Sequence, residues 1–450
     1  MNLSIGAATV DFRRYLCSAC GLIYDEAVGD PDSGLAAGTR FEDIPDEWMC
    51  PICGVGKGDF VLSEPAHMVG KHRSKGGTLT NPQRAYRGHS GGAVANNTDG
   101  SNTASRVCTS NWRATPIVIA GGGTAGWACA QALRDAGYDG TILMISACSA
   151  DRYHKPQISI ASAKNKNVKQ LVVETGVDAA KRLNVQLLTK TFIAGVSPIA
   201  KTIRTTRGGC YYSHLIMAMG ATPNALPPAL VAHCWQVNQL SDYARLMNVL
   251  QQGSTPKQIV MIGGGLVGIE LADDWASLGH QITIVEAGAR PLERLASPEQ
   301  SQALVAALNT QKISVLSNTS VSTIDKTASG QFSVSFVQKL ATQNSNPLLA
   351  DLVVAAIGLK TDSRLAKLSG IAFENGFSVS ALNMQTSEST IYALGDCAAI
   401  NGQVQRFIEP INRQAKTIAH DILSLEPAPF EPRYIPIRLK SRSMPMTLSA

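Results

Sequence analysis

Four cysteines fall in two pairs, Cys17-x-x-Cys20 and Cys50-x-x-Cys53, separated by a long loop. Each pair can place two sulfurs on one ion, and together they close a tetrahedral S4 site that suits iron or zinc. Two glycine-rich runs carry a second chemistry. In PIVIAGGGTAG, residues 116–126, Gly121, Gly123 and Gly126 stand at the spacing G-x-G-x-x-G. A short apolar strand, Pro116–Ala120, runs into them, and a helical stretch, Trp127–Gly137, and a second strand, Thr141–Ser146, follow. At this spacing the first glycine makes a tight turn and the second lets backbone approach a pyrophosphate. The third packs helix on strand, with the helix N-terminus facing the phosphates. The arrangement recurs with strand Gln258–Ile262, Gly263, Gly265 and Gly268, and strand Gln281–Val285.

The ends of the second strands differ. Glu286 lies 18 residues after Gly268. A carboxylate there accepts hydrogen bonds from ribose hydroxyls and repels a 2′-phosphate, which favours NADH over NADPH; the nearby Arg290 pulls the other way. In the first unit Ser146-Ala147-Cys148 offers no acid, and the nearest carboxylate is Asp151.

Three further side chains have both a plain and a chemical reading. Lys155, in Tyr153-His-Lys-Pro156, is either a surface lysine or a flavin contact placed after the second strand. Glu270, one turn into the helix after the second glycine run, either complements the helix dipole or touches a cofactor. Asp396 ends the buried strand of TIYALGDC, where it caps a turn or accepts from a ribityl hydroxyl. Val185–Ile193 and Tyr212–Gly220 also read as strands, as does 351–361, whose turn contains Gly358.

These elements sit in a chain of 450 residues, enough for two to four domains, with 44% hydrophobic and 16% charged residues and a net charge of +6. Acids outnumber bases in residues 11–60, whereas 65–113 are basic and rich in Gly, Ser, Thr and Asn with no periodic apolar face. With no aromatic-rich basic face, this stretch reads as a solvated tether rather than a nucleic-acid surface. Fifty such residues reach about 40 Å as a flexible coil. No secretory signal is visible, and no apolar run approaches the ~18 residues of a membrane span. The reading is a cytoplasmic protein, not itself membrane-inserted. The other cysteines (Cys108, Cys129, Cys148, Cys210, Cys234 and Cys397) form no Cys-x4-Cys or further Cys-x-x-Cys pair, so no dithiol is available to a reduced flavin.

The N-terminal stretch resembles the rubredoxins throughout residues 15–60. The resemblance rests on YLCSACGLIYD, Gly29-Asp30-Pro31, Gly34, Gly38-Thr39-Arg40-Phe41, IPDEWMCPICG, Lys57 and Phe60, with Ala37 where many members carry proline. It implies one iron ion (Fe3+/Fe2+) on Cys17, Cys20, Cys50 and Cys53. Tyr15, Tyr24, Phe41, Trp48 and Phe60 would form an aromatic core that shields the redox centre from water.

Farther on, GGGTAG, YHKP, YSHLIMAMGATP, WQVNQLSDYA, GGGLVGIE, DLVVAAIGLKTDS and TSESTIYALGDCA occur in this order. The set resembles the two-dinucleotide flavoprotein reductases, and within them the rubredoxin reductases, over roughly 114–445. The resemblance implies FAD contacts from Gly121, Gly122, Gly123, Thr124, Ala125 and Gly126, from Lys155 and Pro156, the backbone near Ile193, Glu270, Gly395, Asp396, Ile408 and Lys440. Gly358 would join the cofactor-binding set, and Gly263, Gly265, Gly268 and Glu286 would hold NADH. Lys155 and Glu270 would meet beside the isoalloxazine as a buried pair. Rubredoxin reductases typically run on past the strand matching Ile435–Lys440, whereas this chain stops at Ala450.

The expected fold is α/β: two Rossmann-like dinucleotide-binding domains, for FAD and NAD, preceded by a small rubredoxin-like iron domain. Its expected divisions are 12–62 iron domain, 63–113 linker, 114–225 FAD domain, 226–350 NAD domain, 351–425 FAD domain again, and 426–450 a shortened C-terminal segment. The expected function passes hydride from NADH to FAD, then single electrons to iron and on to a downstream acceptor protein. Rubredoxins serve membrane-bound alkane hydroxylases in some bacteria and oxygen- or peroxide-detoxifying systems in others. The competing readings are a zinc ribbon that only docks a partner, and direct reduction of oxygen or peroxide.

Overall fold

The computed structural model describes residues 12–17, 23–30, 34–46, 48, 57–62, 115–252, 256–338, 346–433 and 437–448. In the N-terminal module Arg14–Cys17 is the middle strand of three, antiparallel to both Ile23–Asp25 and Phe60–Leu62. Tyr24, Leu35, Phe41, Ile44, Trp48 and Phe60 are buried together with Tyr15 packed against them. Tyr15 stacks on Phe41 with ring centroids 4.0 Å apart. All five expected aromatics therefore meet in one core.

Glu26 was not foreseen there. Its carboxylate is buried and accepts from the Arg13 amide at 2.9 Å, the Phe41 amide at 3.0 Å and the Arg40 guanidinium at 2.7 Å. Cys17 ends the middle strand. The expected ligands Cys20, Cys50 and Cys53, and the linker 63–113, lie outside the described residues.

The larger part is built on two parallel five-stranded sheets. In the first, the strands run Ile391–Ala393, His214–Met217, Ile117–Ala120, Ile142–Ile145, Val185–Leu188 across the sheet. The second runs Trp235–Gln236, Leu352–Ala355, Gln258–Ile262, Gln281–Val285, Ile313–Leu316. Around the glycine loops the two orders agree: the strand before each loop is central, with the next two strands of its sheet on one side and a strand from much later in the chain on the other. Only the outermost strand differs, coming last in the first sheet and first, at Trp235, in the second. Central runs such as IVIA, ILMI and LVVA are buried at every residue, as strands covered on both faces must be. The first glycine loop leads into helix Thr124–Asp135 and the second into Leu266–Ala276.

Two expectations are corrected. The domain boundary at 351 is misplaced, because Leu352–Ala355 pairs in register with Ile259–Ile262 in the second sheet. The chain rejoins the first sheet only at Ile391, beside Leu215. A wholly apolar run reads alike in either sheet, and only its pairing partner decides. Likewise Val185–Ile193 is not one strand: it stops at Leu188, turns through Lys190 at φ +49°, and Ile193–Ser197 starts a separate antiparallel sheet. Near the C-terminus, Ile437–Leu439 and Met446–Leu448 form a hairpin whose Ile437, Leu439 and Leu448 join the hydrophobic core around helix Leu266–Ala276.

Candidate functional site

The two glycine loops have the same geometry. Gly121 has φ +119°, and a Cβ on it would lie 2.2 Å from the Ala218 carbonyl oxygen. A Cβ on Gly126 would lie 1.9 Å from the Gly121 oxygen, so the helix can sit this close only without one. In the second unit the corresponding approaches are 2.6 Å at Gly263, whose φ is +106°, and 2.1 Å at Gly268. The middle glycines differ from their neighbours. Gly123 and Gly265 have nothing within 4 Å of a built Cβ, and each is the N-cap of its helix with no side chain capping it. Both helices thus present free N–H groups and the positive dipole end to open space. Two dinucleotide pyrophosphates fit these cradles, one at each. Gly122 and Thr124 flank the first; Ala125 packs under it, against Gly395, where an added Cβ would meet the Ala125 Cβ at 3.2 Å.

Lys155 stands in the 3-10 turn Lys155–Ile160, with Pro156 after it. Its Nζ donates to Asn238 Oδ1 at 2.8 Å, and Asn238 is oriented by donating from Nδ2 to the Ala221 oxygen at 2.9 Å. Burial lowers the Lys155 pKa, opposed by the charges of Asp396 and Asp242. Burial raises the Asp396 pKa, opposed by Lys155 and Arg406. Among the described residues no group donates to the Asp396 carboxylate, although its backbone oxygen accepts from Thr361. A half-buried acid lacking a donor suits a hydroxylated ligand chain, as the flavin's ribityl arm is.

The expected pair of Lys155 with Glu270 is not formed. Glu270, buried on helix Leu266–Ala276, binds Lys440 instead: Lys440 Nζ is 2.8 Å from Oε2, and the Lys440 amide donates to Oε1 at 2.9 Å. Ser159 also donates to Oε2 at 2.5 Å, and Lys440 Nζ reaches the Pro156 oxygen at 2.6 Å. The reason is topological. The C-terminal hairpin folds back onto this helix and delivers an ammonium there, while Lys155 faces Asn238. The next two acids of the helix are also engaged, Asp273 by the C-terminal segment and Asp274 by the turn after residue 160. Asp273 accepts from Ser441 and from the amide and hydroxyl of Ser443, and Asp274 from the amides of Ser162 and Ala163. No local pattern announced these contacts.

Glu286 follows strand Gln281–Val285 and points at the second glycine loop, accepting from Gly264 at 2.7 Å through Oε2 and from Gly288 at 2.6 Å through Oε1. Each oxygen keeps a lone pair for a ribose hydroxyl. In the first unit Ser146 holds the corresponding place, and Asp151 is spent on the amide of Gly176 at 2.9 Å and the hydroxyl of Ser149 at 2.8 Å. Ile193 is partly buried against the first core and pairs with Thr205. Gly358, at φ +94°, is tied to Asn224 by a backbone hydrogen bond of 3.0 Å. Ile408 is 40% exposed and is the N-cap of helix Glu409–Ile422, again without a capping side chain.

With two dinucleotide cradles in one fold and an aromatic module ahead of them, the class is that of a two-dinucleotide reductase carrying a small metal domain. The model for the pyridine nucleotide-disulphide oxidoreductases matches residues 115–417, and the rubredoxin model matches 14–60. The chain belongs to the pyridine nucleotide-disulphide oxidoreductase family and carries a rubredoxin domain before it. Family members of these two kinds bind FAD with NAD(H) and iron respectively. Among similar proteins, the rubredoxin-NAD(+) reductase of Acinetobacter baylyi is 32% identical over 74% of this chain and 84% of its own length. The nitric oxide reductase FlRd-NAD(+) reductase of Aeromonas hydrophila is 30% identical over 74% of this chain and 83% of its own. The crystal structure of a covalent putidaredoxin reductase–putidaredoxin complex superimposes with a TM-score of 0.65 at 26% identity, covering 73% of this chain and 79% of that one. The chain is an FAD-dependent pyridine-nucleotide oxidoreductase of the electron-transfer kind. Among the described residues no helix is long and apolar enough to cross a membrane.

Proposed function

We propose that this chain is an NADH-dependent rubredoxin reductase that reduces the rubredoxin domain it carries, acting in the cytoplasm. FAD, when bound, supplies two-electron uptake from NADH and one-electron release, the conversion a single-iron centre requires. The observation that carries the reading is the repeated cradle: two uncapped glycine-loop helices, each open above its middle glycine, in a chain that also holds two Cys-x-x-Cys pairs and an aromatic core.

In this reading the first loop binds the FAD pyrophosphate and Asp396 takes the ribityl hydroxyls. Lys155, oriented by Asn238, would hold the flavin through its amine. The Glu270–Lys440 pair fixes the C-terminal hairpin on the nucleotide helix, so that residues 155–160 are held from below. Gly263, Gly265, Gly268 and Glu286 bind NADH. What the protein would supply to the two bound cofactors is proximity and orientation, with no acid or base of its own. Cys17, Cys20, Cys50 and Cys53 hold the iron, and the downstream acceptor is a further protein such as a membrane-bound alkane hydroxylase. The test is stoichiometry: flavin extraction and metal analysis of the purified chain should give one FAD and one iron per chain. Zinc in place of iron would leave the N-terminal domain a docking module.

A further inference from the structure

The loop after Glu286 carries a cation as well as an acid, and the structure shows what has been done with that cation. The loop is pinned on both sides. Glu286 takes the amides of Gly264 and Gly288, and the Leu292 amide donates back to the Gly264 oxygen at 3.0 Å. Arg290 lies on this pinned loop, four residues past the acid that faces the adenosine ribose. That is a position from which an arginine can accommodate a 2′-phosphate. Its guanidinium is turned to Glu293 instead: Nη1 stands 3.6 Å from Glu293 Oε1, and Nη2 donates to the Glu293 backbone oxygen at 3.3 Å. Glu293 is itself held toward the loop, accepting from the Ala289 amide at 3.3 Å through Oε2. A Cβ on Gly288 would meet Glu293 Oε2 at 2.6 Å and Glu286 Oε1 at 3.0 Å, so the two carboxylates flank one glycine. Arg290 Nε is buried without a hydrogen-bond partner, so the guanidinium keeps a donor that its tether leaves unused.

We infer that Glu293 is a specificity-determining residue: it sequesters Arg290 and cancels its positive charge, leaving the Glu286 carboxylate unopposed beside the ribose, so that nucleotides bearing a 2′-phosphate are refused. Glu286 alone would leave an uncommitted arginine within its own loop, and the choice between the two nicotinamide cofactors would be weak. Glu293 converts that arginine from a phosphate ligand into the partner of a second acid. The discrimination thus combines attraction for the free ribose with a built-in repulsion of its phosphorylated form. This rests on the assignment of the second unit to NADH.

The test uses two adenosine fragments as probes, 5′-AMP and 2′,5′-ADP, titrated by calorimetry into the FAD-loaded full chain. Glu293→Gln should shift the affinity ratio toward 2′,5′-ADP by about fivefold, the scale of one partly exposed ion pair. Adding Arg290→Ala should reverse that shift, because the arginine supplies the gain. Arg290→Ala alone frees only the partly exposed Glu293 carboxylate and should move the ratio by less than twofold, away from 2′,5′-ADP. A Glu293→Gln ratio unchanged from the parent overturns the inference, as does a gain that survives Arg290→Ala. A strong loss of 2′,5′-ADP binding in Arg290→Ala alone also overturns it, since the arginine would then be free already. NADH oxidation assayed on the same parent separates the two levels. A parent that does not oxidise NADH contradicts the functional reading, whereas one that does, with unmoved ratios, contradicts only the role of Glu293.

Discussion

Glu270 and Lys440, 170 positions apart, form an ion pair with 2.8 Å between Oε2 and Nζ, and the Lys440 amide adds a second hydrogen bond to the same carboxylate. The carboxylate side chain is 4% exposed and the ammonium 28%. Through this contact the last hairpin of the chain is fastened to the helix that begins at the second glycine loop, and Ser159 and Pro156 are drawn into the same knot.

Removing one partner of such a pair leaves a charge stranded in a poorly hydrated place, which costs more than the pair itself contributes. Lys440→Ala should therefore destabilise the FAD-loaded chain by about 2–4 kcal/mol, below the full buried-pair figure because the ammonium is partly hydrated. The double variant Lys440→Met with Glu270→Leu should recover part of that loss. Urea denaturation reads both; a Lys440→Ala chain as stable as its parent contradicts the role of the pair.

The second and third glycines of the first loop should respond differently. Gly126→Ala places a methyl 1.9 Å from the Gly121 oxygen, so helix Thr124–Asp135 must move off its strand. A loss of about 1–3 kcal/mol is expected in the chain stripped of flavin. Gly123→Ala meets nothing within 4 Å, so the flavin-free fold should keep its stability while FAD binding weakens, because the methyl occupies the space above the helix end. Thermal melts without flavin and a flavin titration separate the two. Equal effects on the melts would contradict the close-packing account.

How much of this was legible in the sequence depends on range. The glycine loops, the strands that lead into them and the aromatic core follow from local spacing and buried apolar runs, and they stand where expected. The partner of Glu270 was misread because a lysine after the second strand and a lysine near the C-terminus are equal candidates until the hairpin is seen to fold back. The boundary at 351 failed for a similar reason, since LVVA pairs as well with one parallel sheet as with another. Asp151 and Glu26 were beyond reach: one caps a helix and the other collects two amides and a guanidinium from distant positions.

Glu26 gives the N-terminal module a pH dependence with a defined sign. Burial pushes its pKa up, but the amides of Phe41 and Arg13 and the Arg40 guanidinium outweigh this, and the folded value lies below the ordinary one. A carboxylate lowered on folding contributes stability fully above its unfolded pKa of about 4.3, and loses it as pH falls through the folded value. Acid unfolding followed by Trp48 fluorescence should therefore be less steep in Glu26→Gln, which should also be less stable than the parent at pH 7 by about 1–3 kcal/mol. Parallel acid limbs in the two proteins would contradict the assignment.

The cysteine pairs and the reductase should be separable. Cys50→Ser should abolish electron acceptance by the N-terminal domain while FAD content and NADH oxidation with ferricyanide remain. Loss of flavin from that variant would contradict the independence of the two modules.

The most direct test of the central claim is anaerobic mixing of the purified chain with NADH, followed by visible absorbance at several protein concentrations. The relay predicts that the ferric–thiolate bands bleach after the flavin bands, at a rate independent of protein concentration. Flavin that bleaches while the iron colour persists, or never exists, would contradict it.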